Sequence, residues 1–274
     1  MTTLLNGRAL AASLRQELKV KVAELSFAPT LGVVLVGDDP ASHLYVSLKE
    51  QTAHEVGIKV EKVLLPASAT TTDVQKTVQA FNLRPDIHGI LVQLPLPIHL
   101  DEHAVINTMD ASKDADGFHP QNLARLMAGE AIIPPGVSAG IMKLIEMAHQ
   151  PLVDKHVELI VNSDEFAQPL VKLLTDKGAK ANVNHRVEPT RLRQADIIII
   201  ALGQPRVVRG ENIKDGAIVI DVGTTKIGGH VVGDVDADSL TGRPVYLTPV
   251  PGGVGPMTVV MLLWNVYHLA KLHS

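Results

Sequence analysis

Residues 195–203 read ADIIIIALG, with four isoleucines in succession. Such a run has no polar face, so it belongs to an element buried on both sides, and its shortness and β-branching make that element a strand. Strands of this kind lie in parallel sheets covered by helices. Comparable runs recur as TLGVVLVG, KVEKVLLP and GILVQLPLP in the first half of the chain, and as VELIV, ANVNH, GAIVIDVG and PVYLT in the second. Helical patterns alternate with them. Leu10, Leu14, Leu18 and Val22 mark a helix from Arg8 to about Leu25. A second helix runs from Pro40 to Gly57, a glycine suited to a left-handed C-cap. TTTDVQKTVQAFN reads as a helix capped by Thr or Asp, another helix falls at roughly 167–176, and PMTVVMLLWNVYHLAKLHS closes the chain with Pro256 in its first turn. The alternation predicts an α/β fold of two domains. Residues 1–120 with 252–274 form the first, and 121–251 form a doubly wound parallel sheet. The last helix is apolar over a broad surface and is expected to pack back on the first domain.

Composition narrows the function. The chain has 274 residues, 46% of them hydrophobic and 20% charged, enough for large cores. A net charge of −4 without a run of Lys and Arg gives nucleic acid no basic field to bind. Cysteine is absent, which removes disulfides, thiolate metal sites and a Cys nucleophile. Arg8, Arg15 and Glu17 interrupt what would have to be an apolar signal core, and no run approaches a membrane span, so a cytoplasmic protein is expected. His99 and His103 are four apart, but no third ligand accompanies them, and no metal is expected.

Four stretches carry groups that can do chemistry. PASHLYVSLKE sets Tyr45 and Lys49 on one helical face with Ser42 a turn earlier. GILVQLPLP ends a buried strand on the polar Gln93. KDADGFHP places Asp116 in an acidic turn, and TPVPGGVGPMT combines Gly252, Gly253 and Gly255, which let backbone approach a ligand, with stiffening prolines. Taken singly, each has an ordinary reading as a surface pair, a strand cap, a turn or a rigid connection.

Together, and in this order from the opening NGRALA to the terminal helix, these stretches resemble the FolD family of bifunctional methylenetetrahydrofolate dehydrogenases and methenyltetrahydrofolate cyclohydrolases. The resemblance implies a folate-binding catalytic domain, a Rossmann-like domain for NADP or NAD, tetrahydrofolate derivatives as substrates and a homodimer. It makes Lys49 the general acid/base, Gln93 its hydrogen-bond partner, Tyr45 a wall of the folate pocket and Asp116 the group that holds the pterin, with Ser42, Pro251, Gly252 and Gly253 near the substrate. The chemistry agrees: hydrolysis of a methenyl cation requires a base, and burial favours the neutral amine that a lysine needs to act as one.

One segment departs from the resemblance. Where the family turn reads G-R-S-x-x-V-G-x-P, this chain has Val161, Asn162, Ser163, Asp164, Glu165, Phe166, Ala167, Gln168 and Pro169. Both glycines and the arginine are replaced. Side chains at Val161 and Ala167 are expected to obstruct close backbone approach, Asn162 cannot neutralise a 2′-phosphate, and Asp164 and Glu165 add negative charge. Asn162, Ser163 and Thr224 remain as cofactor-binding candidates. The dehydrogenase half is thus placed in question, with a cyclohydrolase alone, or a folate-binding paralogue without turnover, as the alternatives.

Overall fold

The fold is taken from a computed structural model, which describes residues 1–131 and 133–272. In chain order its first elements are β1 (Thr3–Leu4), α1 (Gly7–Ala23), β2 (Thr30–Val36), α2 (Pro40–Val56), β3 (Lys59–Leu65), α3 (Thr71–Asn82), β4 (Gly89–Val92), α4 (Glu102–Thr108), α5 (Pro120–Ala128) and α6 (Gly136–Glu146). They are followed by β5 (His156–Val161), α7 (Asp164–Asp176), β6 (Lys180–Asn184), α8 (Pro189–Leu192), β7 (Ile197–Ala201), β8 (Ile218–Asp221), β9 (Thr225–Ile227), β10 (His230–Val232), β11 (Tyr246–Leu247) and α9 (Val254–Leu272). The chain divides into two compact units. One comprises Met1–Ala11 with Val137–Thr258, and the other Ala12–Gly136 with the chain from Val259 onward.

The second of these units is built on a three-stranded parallel sheet of order β3-β2-β4. Side chains alternate across a strand, and β2 feeds two separate cores in this way. Leu31, Val33 and Leu35 pack with Leu18 and Val22 of α1, Val46, Ala53 and Val56 of α2, and Leu262, Leu263, Val266 and Tyr267 of α9. Val34 and Val36 pack on the opposite face with Val74, Val78 and Phe81 of α3 and Val105 of α4. The terminal helix thus completes one face of this sheet, as its apolar surface required. Caps fix the helix ends: Asp39 accepts from Ser42 N at α2, Gly57 closes that helix at φ 86°, and Thr70 and Asp73 form a capping box at α3. Lys113 is buried, and its ammonium donates to Asn82 O at 2.9 Å and Arg84 O at 2.6 Å, satisfying carbonyls left open where α3 ends.

The other unit carries a six-stranded parallel sheet of order β1-β11-β8-β7-β5-β6. Ile197, Ile198, Ile199 and Ile200 are all at 1% exposure or less. The opening residues differ from expectation, since Thr3–Leu4 form an edge strand beside β11 and cluster with this unit. Thr3 N donates to Val245 O and Leu5 N to Leu247 O, both at 2.8 Å. A two-residue strand leaves no periodicity to read. The β9–β10 hairpin also had no strand signal; it turns through Gly228 and Gly229 at φ 56° and 85°, where both residues need positive φ. Helix α7 begins at Asp164, before the expected 167, because Ser163 caps it and Pro169 is accommodated inside it.

Gly7 is the tightest backbone approach in this unit that the 249–253 loop makes: a Cβ there would sit 1.9 Å from Gly253 O. Gly7→Ala is expected to destabilise the protein by about 1–3 kcal/mol through overpacking, read as a lowered denaturant midpoint at unchanged slope; an unchanged midpoint would contradict the crowding.

Candidate active site

Helix α2 presents a buried stripe of Ser42, Val46, Lys49, Ala53 and Val56, so Lys49 lies on the face turned toward the sheet. Its exposure is 9%, against 45% for Tyr45, which stands at the open edge of the same helix. Strand β4 runs out into Gln93, itself buried, whose Nε2 donates to Leu94 O at 2.6 Å. That bond leaves Oε1 to accept from Lys49 Nζ at 2.9 Å. A buried ammonium held by one neutral acceptor is poorly compensated for its lost hydration, and burial pushes the Lys49 pKa down from the usual lysine value. The charge of Asp116 opposes this shift without cancelling it.

The two aspartates of the acidic turn have separate duties. Asp114 is buried and accepts from Gly117 N at 2.9 Å, His119 N at 2.7 Å and Asn122 Nδ2 at 3.0 Å, which builds the turn. Asp116 is half-buried, and among the described residues none donates to its carboxylate. Burial raises its carboxyl pKa, the Lys49 charge lowers it and the Asp114 charge raises it further. It is an acceptor with no donor among the described residues, and its charge acts on a lysine whose ammonium form burial disfavours. Gly117 admits no side chain, since it sits at φ 82° and a Cβ would lie 2.8 Å from Pro135. Ser42 donates its hydroxyl to Asp39 at 2.8 Å as part of the α2 cap, a role its spacing from Tyr45 did not announce. The burial of Lys113, next to the buried Asp114 and Ala115, has no signal in the sequence.

The remaining candidates lie in the other unit. Gly252 has φ 110° and its carbonyl accepts from Arg8 N at 2.9 Å; a Cβ on Gly253 would meet Pro249 O at 2.7 Å. Packing within the loop therefore requires both glycines, whereas Gly255 faces open space. Thr224 is exposed just after β8, whose Asp221 accepts from Gly223 N, Asp234 N and Val235 N. Burial pushes the Asp221 carboxyl up to about 6. Asp234 in turn holds the backbone N–H groups of Leu202 and Gly203 at the end of β7, at 2.7 and 3.0 Å.

At the turn after β5 the structure corrects an expectation. Val161 and Ala167 are 0% and 1% exposed, so the side chains in the glycine positions are directed into the interior and leave the turn's outer surface to Asn162 and the start of α7. Ser163 Oγ accepts from Phe166 N at 3.3 Å as the α7 cap. Asp164 and Glu165 occupy the first helical turn, where the helix dipole favours negative charge, and Asp164 lies 3.3 Å from His185 Nε2. The sheet order changes direction at β5, with β6 on one side and β7 on the other, and such a switch point is where doubly wound sheets bind nucleotides. The residues present thus fit a dinucleotide. Among the described residues no cluster of His, Cys, Asp and Glu is placed to hold a metal, and no helix is long and apolar enough to cross a membrane.

Acid–base chemistry in one unit and a nucleotide-type sheet in the other define the class: a two-domain α/β enzyme in which substrate chemistry and cofactor binding have separate supports. Comparison with known proteins makes this particular. Residues 5–116 match the catalytic domain of tetrahydrofolate dehydrogenase/cyclohydrolase, and residues 135–274 match its NAD(P)-binding domain. The chain is 40% identical over 278 residues to the bifunctional protein FolD of Geotalea uraniireducens, covering 99% of each. It superposes on the FolD crystal structure from Campylobacter jejuni with a TM-score of 0.95 at 37% identity, covering 100% of both chains. For the Trypanosoma brucei enzyme, solved with NADP and an inhibitor, the TM-score is 0.94 at 36% identity, covering 99% of this chain and 98% of that one. The chain belongs to the tetrahydrofolate dehydrogenase/cyclohydrolase family.

An NMR titration of the Lys49 side chain is expected to give a pKa below the ordinary 10.5, and Asp116→Asn is expected to lower it further by removing the opposing charge. An unshifted value in the wild type would show that the amine is hydrated rather than buried.

Proposed function

We propose that this protein oxidises 5,10-methylenetetrahydrofolate to the 5,10-methenyl cation and hydrolyses that cation to the N10-formyl compound, with Lys49 as the acid–base group. The observation that carries the reading is the buried Lys49–Gln93 pair, within the electrostatic influence of Asp116, whose carboxylate has no donor among the described residues. The matched NAD(P)-binding domain, which spans the altered turn, favours both activities over a cyclohydrolase alone or a non-catalytic binder.

In hydrolysis, water adds to the methenyl carbon and neutral Lys49 takes the proton released as the C–O bond forms. The resulting ammonium donates to N5 as the C–N5 bond breaks, the adduct's hydroxyl loses its proton to solvent as the C=O bond forms, and the formyl group remains on N10. The positive substrate and the dry surroundings both favour the neutral amine before attack. Gln93 holds Nζ in one position throughout, its own amide fixed on Leu94 O. Asp116 accepts hydrogen bonds from the pterin edge, and the exposed Tyr45 ring stacks beside it. The family resemblance assigns substrate-binding roles to Ser42 and, separately, to Pro251, Gly252 and Gly253.

A nicotinamide dinucleotide, when bound, supplies the hydride acceptor for the first reaction. Asn162, Ser163 and Thr224 are the residues assigned to hold it. NADP and NAD are both consistent with these three residues. A homodimer follows from the same resemblance, and the charged N-terminal segment without an apolar core supports a cytoplasmic setting.

Lys49→Ala is expected to reduce methenyl-folate hydrolysis by about 10²–10⁴-fold while folate binding, followed by ligand absorbance, persists. The hydrolysis rate of the wild type should rise with pH as Lys49 loses its proton, with its midpoint below the normal lysine range because burial lowers that pKa. Wild-type turnover in the alanine variant would sink the assignment.

A further inference from the structure

The carboxylate of Asp116 has no donor among the described residues, so its place in the site has to be fixed through the backbone on either side of it. Three bonds within the same compact unit contribute. Ala115 N donates to Ile90 O of β4 at 3.2 Å, Gly136 N donates to Asp116 O at 3.1 Å, and Gly117 N donates to Asp114 Oδ1 at 2.9 Å. A fourth acts on Ala115 O, the carbonyl of the peptide bond that joins Ala115 to Asp116. This carbonyl accepts from Asn265 Nδ2 of α9 at 3.0 Å, across 150 residues of chain.

Asn265 is 2% exposed, and its Nδ2 also donates to Pro134 O at 3.0 Å. Pro134 leads into Pro135, which crowds Gly117, and into Gly136, which donates to Asp116 O. One amide therefore ties together the two segments that bracket Asp116. The packing around it is equally close. A Cβ on Gly89, at the start of β4, would lie 3.2 Å from Val266 and 3.3 Å from Ala115, and one on Gly136 would lie 3.3 Å from Leu262 N. The residue type follows from the acceptors: two carbonyls need two N–H groups, which an amide supplies, whereas a hydroxyl supplies one donor and a carboxylate none. Covering the sheet does not call for this amide, since Leu262, Leu263, Val266 and Tyr267 of the same helix do that with apolar side chains.

We propose that Asn265 is a positioning residue for substrate recognition, holding the Ala115–Asp116 peptide and the 134–136 segment so that the Asp116 carboxylate meets the pterin edge. The inference rests on the reading that Asp116 holds the pterin. It gives the last helix a part in recognition that is separate from its part in covering the sheet.

The test is steady-state hydrolysis of 5,10-methenyltetrahydrofolate by the full-length protein, followed by loss of substrate absorbance, with denaturant midpoints measured alongside. Asn265→Ser is the variant of choice, because it keeps one donor where Asn265→Leu would leave two buried carbonyls unpaired. Its KM is expected to rise about three- to tenfold with kcat within about twofold, the mark of binding lost equally in ground and transition states. Asp116→Ala is expected to raise KM about ten- to a hundredfold, and adding Asn265→Ser to it is expected to raise KM no further, since the second residue acts through the first. Gln75→Ala removes an amide that ties α3 to Ala104 O and Thr108 Oγ1 of α4; it is expected to lower the midpoint and leave KM unchanged. An unchanged KM in Asn265→Ser, or an increase that appears in full on top of Asp116→Ala, would overturn the positioning role and leave the reading of Asp116 intact. A wild-type KM in Asp116→Ala would overturn that reading and this inference with it.

Discussion

Parallel strands must be covered on both faces, and most of this molecule follows from that requirement. In the smaller sheet, β2 is central, and its odd and even residues enter different cores; one needs α1, α2 and α9, the other α3 and α4. Lys49 owes its burial to the same demand. It sits in the stripe of α2 that must face the sheet, between Val46 and Ala53, so the packing that stabilises the helix also strips water from the amine. The lowered basicity of the amine is a by-product of covering a strand, with Gln93 supplying a polar contact that makes the position tolerable.

The larger sheet meets the requirement differently. Its strands are short, the inner strands β7 and β8 are mostly apolar, and the polar groups that orient its loops are gathered at strand ends. Asp221 and Asp234 are the main examples, each accepting from backbone N–H groups of neighbouring loops. Bulk is excluded there: a Cβ on Gly223 would meet Asp234 and one on Gly233 would meet Asp221 at 1.9 Å. The glycines around β8 and after β10 are therefore dictated by two buried carboxylates rather than by a ligand.

Where burial controls an element, the sequence announced it. The isoleucine run, the alternation in β2, the stripe of α2, the cap at Thr70 and the apolar last helix were all legible because each is a periodic or local signal. The cluster of Lys49, Gln93 and Asp116 was legible through resemblance, since nothing in the spacing of residues 49, 93 and 116 joins them. What escaped was set by tertiary context. The pairing of Thr3–Leu4 with β11 depends on backbone bonds across the whole chain. The separate duties of Asp114 and Asp116 depend on which carboxylate the turn's N–H groups reach. The damage expected from Val161 and Ala167 depended on side-chain direction, and both side chains point inward.

Each compact unit is assembled from two separated stretches of chain. During synthesis the segment from Ala12 to Gly136 emerges before α9, and the face of its sheet that receives Leu262, Leu263, Val266 and Tyr267 stays uncovered until that helix has been made. The apolar face of β2 must wait while Val137–Thr258, the longer stretch of the other unit, is translated. A nascent chain of this design carries an open hydrophobic surface until α9 emerges, and that helix acts as the closing step that retires it.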